Sequence, residues 1–307
     1  MIVVNVSGGK DSAAVLALAL ERGVEFVAAW ADTGHEHPQT VEYVQTLQEW
    51  AGVPIRRVAA DFTAQIARKR LTVEKWPEPM RSDALAVLHP TGIPFLDLCM
   101  WKGMFPNTFS RFCTSELKVH PIRAQVIDPL LDAHGSVLHW LGVRADESKA
   151  RSVLPEVDAE FFDPASGNGY WYCRPILHWT ADDVFAYLAK QGAPVNPLYL
   201  QGMRRVGCMP CIHERKDTLA NIFKRWPEEI QRVAEWERIV SAASKAGSTT
   251  FFDVSDDPAW EPDSSPVFEK WGIRSRVEWA STARGGLQTT MAFDDAPTCS
   301  SVYGLCE

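Results

Sequence analysis

Two patterns in this 307-residue chain predict an α/β fold, a parallel sheet flanked by helices, ending in a helical, cysteine-bearing C-terminal extension. Short apolar runs alternate with stretches long enough to form crossover helices, and parallel strands need such right-handed crossovers. From Gln201 the character changes: a Cys-x-x-Cys turn opens a long helical tract. The expected division is an α/β domain over residues 1–200 and the extension over 201–307.

The elements follow in order. Residues 2–6 form a short apolar strand, and 11–22 a helix carrying Ala13, Val15, Leu16, Leu18, Ala19 and Leu20. A second strand over 24–30 ends at Asp32-Thr33-Gly34. A helix over 40–51 and a strand over 53–58 complete the first half of the sheet. Between 61 and 112, scattered Pro, Trp and Gly leave no persistent period, which predicts helices and loops. Regularity returns with a helix over 115–131, a strand over 137–143, and a segment over 170–176 leading to a helix over 180–190. Thr180 with Asp183 three residues on is an N-cap arrangement. The tract 214–246 is helical with a break at Trp226-Pro227, while the last sixty residues are expected to wrap the body as extended chain.

Composition narrows the class. Hydrophobic residues make up 46% and charged residues 23%, enough apolar content for a sizeable core. A net charge of −8 gives no general attraction to DNA or an anionic membrane, and leaves room for a local basic groove. No run of about 20 apolar residues is present and residues 1–6 lack a basic leader, so a cytoplasmic protein with no membrane partner is expected. Seven cysteines, an odd number, fit reduced thiols, metal ligands or redox centres better than a disulfide framework.

The chemistry begins between the first strand and the first helix, at Ser7-Gly8-Gly9-Lys10-Asp11-Ser12. Glycines let backbone N–H groups approach phosphate oxygens, and the helix N-terminus adds its dipole. Lys10 supplies a point charge, Ser7 and Ser12 supply hydroxyls, and Asp11 sits where an acid favours the dipole. The spacing differs from the Walker pattern. A tight turn without a ligand is the plain alternative, and its position at the first crossover favours the phosphate site.

Further motifs follow the loop: Ala31-Asp32-Thr33-Gly34; Arg111-Phe112-Cys113-Thr114-Ser115-Glu116-Leu117-Lys118; Gly142-Val143-Arg144-Ala145-Asp146-Glu147-Ser148; Arg174-Pro175-Ile176 with Trp179-Thr180-Ala181-Asp182-Asp183-Val184; Asn196-Pro197-Leu198-Tyr199; and Gly207-Cys208-Met209-Pro210-Cys211. With these the chain resembles the PP-loop ATP pyrophosphatase superfamily, within it the phosphoadenosine phosphosulfate reductase-like branch, close to DNA phosphorothioation ATP pyrophosphatases. The resemblance implies a Rossmann-like, adenine-nucleotide alpha-hydrolase-like sheet of five parallel strands. It implies that ATP with Mg2+ is split between its α and β phosphates, pyrophosphate being held by residues 7–12. By the same resemblance Asp32 lies by the sugar or base, Gly142, Arg144 and Glu147 line the phosphate or substrate mouth, and Lys118 faces the transferred group. Lys10 and Arg144 are then catalytic candidates, since a guanidinium near a bridging phosphate stabilises developing charge. Outside this context, Arg-x-x-Glu on a loop is an ordinary solvated pair.

Two chemistries compete within the branch. An intact Ser-Gly-Gly-Lys-Asp-Ser loop favours an ATP-splitting enzyme that adenylates an acceptor for sulfur transfer, with DNA or tRNA as acceptor and a cysteine desulfurase as partner. The tail Gly304-Leu305-Cys306-Glu307 partly matches the catalytic tail of sulfonucleotide reductases, which makes a thiol-dependent reductase with Cys306 as nucleophile the alternative. A non-catalytic nucleotide-binding module is a third class.

Cys208 and Cys211 have ligand spacing for zinc or an iron–sulfur cluster. Cys113 falls where cluster-bearing relatives have two adjacent cysteines, and Thr114 replaces the second. Three arrangements stay open: a [4Fe–4S] cluster on Cys113, Cys208, Cys211 and one tail cysteine, Cys299 or Cys306; a cluster on Cys208, Cys211, Cys299 and Cys306; or buried reduced thiols. Zinc is the alternative metal. Cys99 and Cys173 look structural. His35 and His37 are expected as polar loop residues, with a metal-binding His-x-His the alternative, and His213 is a candidate ligand or supporting donor. Trp179, Trp226 and Trp236 fall on apolar positions. Arg204, Arg205, Lys216, Lys224 and Arg225 read first as a solvated face and second as a basic rim for nucleic acid.

Overall fold

The structure, a computed structural model, describes residues 1–252 and 268–282. Its chain divides into two compact units. The first comprises Met1–Ala60 and Thr114–Met209; the second comprises Asp61–Cys113 and the described part of Pro210–Asp294.

The first unit is built on β1 (Ile2–Val6), β2 (Phe26–Asp32), β3 (Ile55–Ala59), β4 (Ser136–Trp140), β5 (Val157–Phe162) and β6 (Gly169–Cys173). Their order is β3-β2-β1-β4-β6-β5. Five strands run parallel, and β5 joins the β6 edge antiparallel. The α/β class, a mostly parallel sheet flanked by helices, is thus the observed one, with one antiparallel strand beside the five parallel ones. Side chains alternate between faces, so adjacent residues enter different cores. Val4, Val6, Ala28 and Trp30 pack with α1 (Lys10–Glu21), α2 (Pro38–Ala51) and the helix Ala181–Lys190. Val3, Ala29, Ala31 and Val137 pack with Ile122, Val126 and Ile127 on the other face. α1 is buried from Asp11 to Ala19, which explains its nearly unbroken apolar run.

Ser115–His134 is helical throughout, with π turns at Ser115–Val119 and Arg123–Ile127. Such turns are rare and collect at functional sites. The strand expected over 137–143 stops at Trp140, and the segment over 170–176 is strand only to Cys173. The residues beyond leave the ladder as loops at the C-terminal edge of the parallel strands.

The second unit is helical: α3 (Thr63–Val73), α4 (Met80–Val87), α5 (Pro94–Lys102), Lys216–Arg225, Glu228–Ala242, Phe268–Trp271 and Ile273–Ser281. Pro227 lacks an N–H and separates the two long helices, as the sequence predicts. Phe95 stacks on Trp236 at 5.6 Å and meets Phe251 at 6.0 Å, an aromatic centre drawn from distant parts of the chain. The extended-chain expectation for the last sixty residues is corrected at 268–281, which is helical. Ile273 and Ala280 are buried, and the Ile273 N–H donates to the Glu237 carboxylate, which anchors that helix start. Residues 283–307, including Cys299 and Cys306, lie outside the described residues.

Candidate functional site

Parallel strands deliver their following loops to one edge of the sheet, and ligands of such sheets gather there. The loops after β1, β2 and β4 are residues 7–9, 33–37 and 141–148. Gly9 is the N-cap of α1 and has no side chain with which to cap it, so the positive end of the helix dipole faces the loop. Gly8 sits at φ +83, and a Cβ there would lie 2.6 Å from Thr40 Cγ2, so only glycine fits. Ser12 Oγ accepts from the Ser7 N–H at 3.0 Å and donates to Gly9 O at 3.0 Å, which fixes the curl of the loop.

Two residues from the end of the sheet unit hold the loop from outside. The Lys10 N–H donates to Tyr199 Oη at 3.0 Å, and Asn196 Nδ2 donates to Gly8 O at 3.0 Å. Asn196 also caps Pro197–Leu200 through Leu198 N. Both belong to a motif singled out in the sequence without a role assigned to them. An Asn before Pro is a capping signal, yet the 188 residues from Gly8 hide the second bond.

Charge is organised around Asp11, which is fully buried. Lys10 Nζ lies 2.9 Å from its Oδ2 and Arg144 Nε 2.9 Å from its Oδ1. Arg144 is 5% exposed and also grips Asp146 at 2.6 Å. Burial disfavours its charge, but Asp11, Glu147 and Asp146 outweigh that and hold its pKa above the ordinary arginine value. Arg144 is therefore no solvated pair, and its partner is the loop. Glu147 accepts from the Arg144 N–H at 3.2 Å and pairs with Arg151. Gly142 explains how the two loops close up: a Cβ there would be 2.8 Å from Asp11 C and Ser12 N.

Asp32 ends β2, accepts from the Gly34 N–H at 2.8 Å and pairs with Arg57. Beyond it Glu36 accepts from Thr33 Oγ1 at 2.7 Å. Burial pushes the Glu36 carboxyl up, while the charge of Lys118, itself 8% exposed, pulls it down. Glu36 was not singled out from the sequence, where it stood only as the residue between two histidines. Cys208 joins this corner: it bridges to Glu36 in the backbone, its Sγ lies 3.6 Å from Thr33 Oγ1, and the next N–H, of Met209, donates to His35 O at 2.9 Å.

The expectation of surface histidines is corrected: His35 is 1% and His37 7% exposed. His37 Nδ1 accepts from the Gln39 N–H and caps α2, and its neighbour is covered by the strand-like pairing to Met209. Among the described residues no group of three or more His, Cys, Asp or Glu side chains is placed to hold a metal ion. Cys99 is fully buried and its thiol pKa is pushed well up, by burial first and by Cys113 second. Trp236 is buried, and Lys216 lies 4.7 Å over the Trp279 ring. No described helix is long and apolar enough to cross a membrane.

The model of the phosphoadenosine phosphosulfate reductase domain matches residues 1–214, which include every loop just described. The chain belongs to this family. It is an enzymatic family with sulfonucleotide-related chemistry, and the glycine loop, Arg144 and Cys208 all fall inside the matched stretch. An uncharacterized 37.8 kDa protein of Escherichia phage 186 is 49% identical over 327 residues, covering 99% of this chain and 96% of its own. The adenosine 5′-phosphosulfate reductase of Neisseria meningitidis serogroup A is 30% identical over 135 residues, 44% of this chain and 47% of the reductase. The chain thus spans about half the length of that reductase. The phosphoadenylyl-sulfate reductase of Candida auris, solved with phosphate, overlaps with a TM-score of 0.40 at 17% identity, over 67% of this chain and 80% of that one.

Proposed function

We propose that the chain is an ATP pyrophosphatase that adenylates an acceptor for sulfur transfer, of the nucleic-acid thiolation or phosphorothioation type. The observation that carries this reading is the complete glycine loop at the start of α1 with Lys10 and the Asp11–Arg144 pair behind it. The loop fits a pyrophosphate: glycine where a Cβ would collide, the positive end of a helix dipole, and a lysine beside it. Lys10 and the N–H groups bind the β and γ phosphates, and Arg144 positions the loop through Asp11. Lys118 sits toward the transferred group. An acceptor oxygen attacks the α phosphorus, the bond to the bridging oxygen breaks, and pyrophosphate leaves with the electron pair. Mg2+ bound with ATP neutralises charge on the phosphates.

For the metal we propose Cys208 and Cys211 as the core of a thiolate set, for a [4Fe–4S] cluster or zinc, with Cys113 and Cys299 completing it. The described residues alone do not make up this set, and no step above runs through it. Iron and zinc content of the anaerobically purified Cys211→Ser variant tests it: loss of the metal is expected, and wild-type content removes Cys211 from the site.

A second reading, a thiol-dependent sulfonucleotide reductase, is favoured by the likeness to the Neisseria reductase. Anaerobic titration calorimetry against Mg-ATP and against phosphoadenosine phosphosulfate separates the two. Preference for Mg-ATP, weakened about 10- to 100-fold by Lys10→Ala through loss of a charge-assisted contact, is the expected outcome. Preference for the sulfonucleotide overturns the adenylating reading and turns attention to Cys306.

A further inference from the structure

The helical unit contains a pocket of about 490 Å³. Arg68, Lys69, Trp76, Trp101, Lys102 and Lys245 are among its lining residues, and among the described residues no Asp or Glu lines it. In a chain of net charge −8, four cations lining one cavity call for a cause.

Helix ends account for part of it. α5 stops at Lys102 and the helix Glu228–Ala242 stops shortly before Lys245, and cations offset the negative end of a helix dipole. Lys69 belongs to this class: its Nζ donates to Met100 O at 2.6 Å, and burial draws its pKa down to about 8. The others do more than close a helix. Lys102 Nζ lies 3.9 Å from the centroid of Trp101, whose ring stacks on Phe62 at 5.6 Å. A ring so held positions the ammonium without cancelling its charge. Arg68 and Lys245 are exposed and pair with no acid among the described residues. Trp76 is half-buried, an indole in the same pocket as the exposed cations Arg68 and Lys245.

We infer that this pocket binds single-stranded nucleic acid, with Arg68 and Lys245 on its phosphates and Trp76 as the platform for a base. Cations that track a backbone, combined with an aromatic face, are how proteins hold single strands. An acidic peptide would engage the cations and leave the indole unused. As the docking site of the acceptor the pocket rests on the adenylating reading; as a strand-binding site it stands apart from it.

The test is fluorescence anisotropy of the full chain with labelled single-stranded DNA and RNA of about 20 nucleotides, longer than one typical site, over a range of salt. Arg68→Ala/Lys245→Ala is expected to weaken strand binding at least tenfold at about 0.1 M salt and to flatten the log–log salt slope by about 1.4, since each lost phosphate contact contributes about 0.7. Trp76→Ala is expected to weaken binding roughly tenfold at an unchanged slope, with Trp76→Phe restoring it. Mg-ATP affinity stays at the wild-type value in all three. Wild-type affinity and slope in the double variant overturn the inference. So does displacement of the strand by AMP or by polyglutamate at equal charge concentration. Lys10→Ala separates this from the adenylating reading: it weakens Mg-ATP binding about 10- to 100-fold while the strand slope is kept.

Discussion

The sheet unit and the helical unit treat their charges in opposite ways. In the sheet unit the buried arginines are matched at close range: Arg144 to Asp11 and Asp146, Arg151 to Glu147, Arg174 to Asp158. In the helical unit Arg68 and Lys245 pair with no acid among the described residues, and Glu237, at 2% exposure, accepts from the Phe251 and Ile273 backbone N–H groups. Pairing in the first unit keeps the loops around residues 7–12 in one geometry, so that an incoming phosphate meets donors already placed. Charges left unmatched in the second unit either wait for a partner from outside or cost stability. Which of these applies differs from residue to residue.

The largest effect is expected where matching is tightest. Arg144→Met removes one of two cations on a fully buried carboxylate, and an uncompensated buried charge costs about 3–5 kcal/mol. Urea unfolding is expected to show a loss near the lower end of that range, because Lys10 stays on Asp11. Asp11→Asn/Arg144→Met is expected to recover much of it, since no charge is then stranded. Equal losses in the single and double variants would mean that Arg144 stabilises by packing, and the contrast between the units would lose its electrostatic basis.

How much of this was legible in the sequence divides along the same line. The sheet unit is local in logic: β1, the glycine loop and α1 are contiguous, and their apolar period, glycines and lysine sit in one stretch of residues. Gly142 and Arg144 were legible as candidates, but their contact with Asp11 was not, because loops 130 residues apart meet only once the sheet has formed. Strand β5 was missed for a physical reason. It is an edge strand with Val157, Phe161 and Phe162 exposed, so it carries no alternation of buried and solvated positions. In the helical unit the obstacle is larger. Phe95, Trp236 and Phe251 make one aromatic centre from segments separated by well over a hundred residues, and Arg68 and Lys245 are brought to one pocket the same way. Cations close together in the sequence drew attention instead to Arg204, Arg205, Lys216, Lys224 and Arg225, none of which lines this pocket.

Glu237 gives the smaller and sharper test, because here the unmatched charge is a cost. Burial raises its pKa from 4.5 to about 7, against the pull of the Phe251 and Ile273 N–H groups. The folded state therefore keeps a proton that the unfolded chain gives up above pH 4.5. Between pH 4.5 and 7 the folded state binds more protons, so stability falls as pH rises through that window. The total is roughly 3 kcal/mol at 1.36 kcal/mol per unit. Glu237→Gln keeps an oxygen for both N–H groups and has no proton to lose. Denaturant midpoints from pH 4.5 to 8 are then expected to converge for wild type and variant near pH 4.5. By pH 8 the variant is expected to be the more stable by up to this amount. Parallel pH profiles would mean that the two N–H groups fully sustain the carboxylate. The helical unit would then be as well matched at Glu237 as the sheet unit is at Asp11, and the contrast between the units would rest on Arg68 and Lys245.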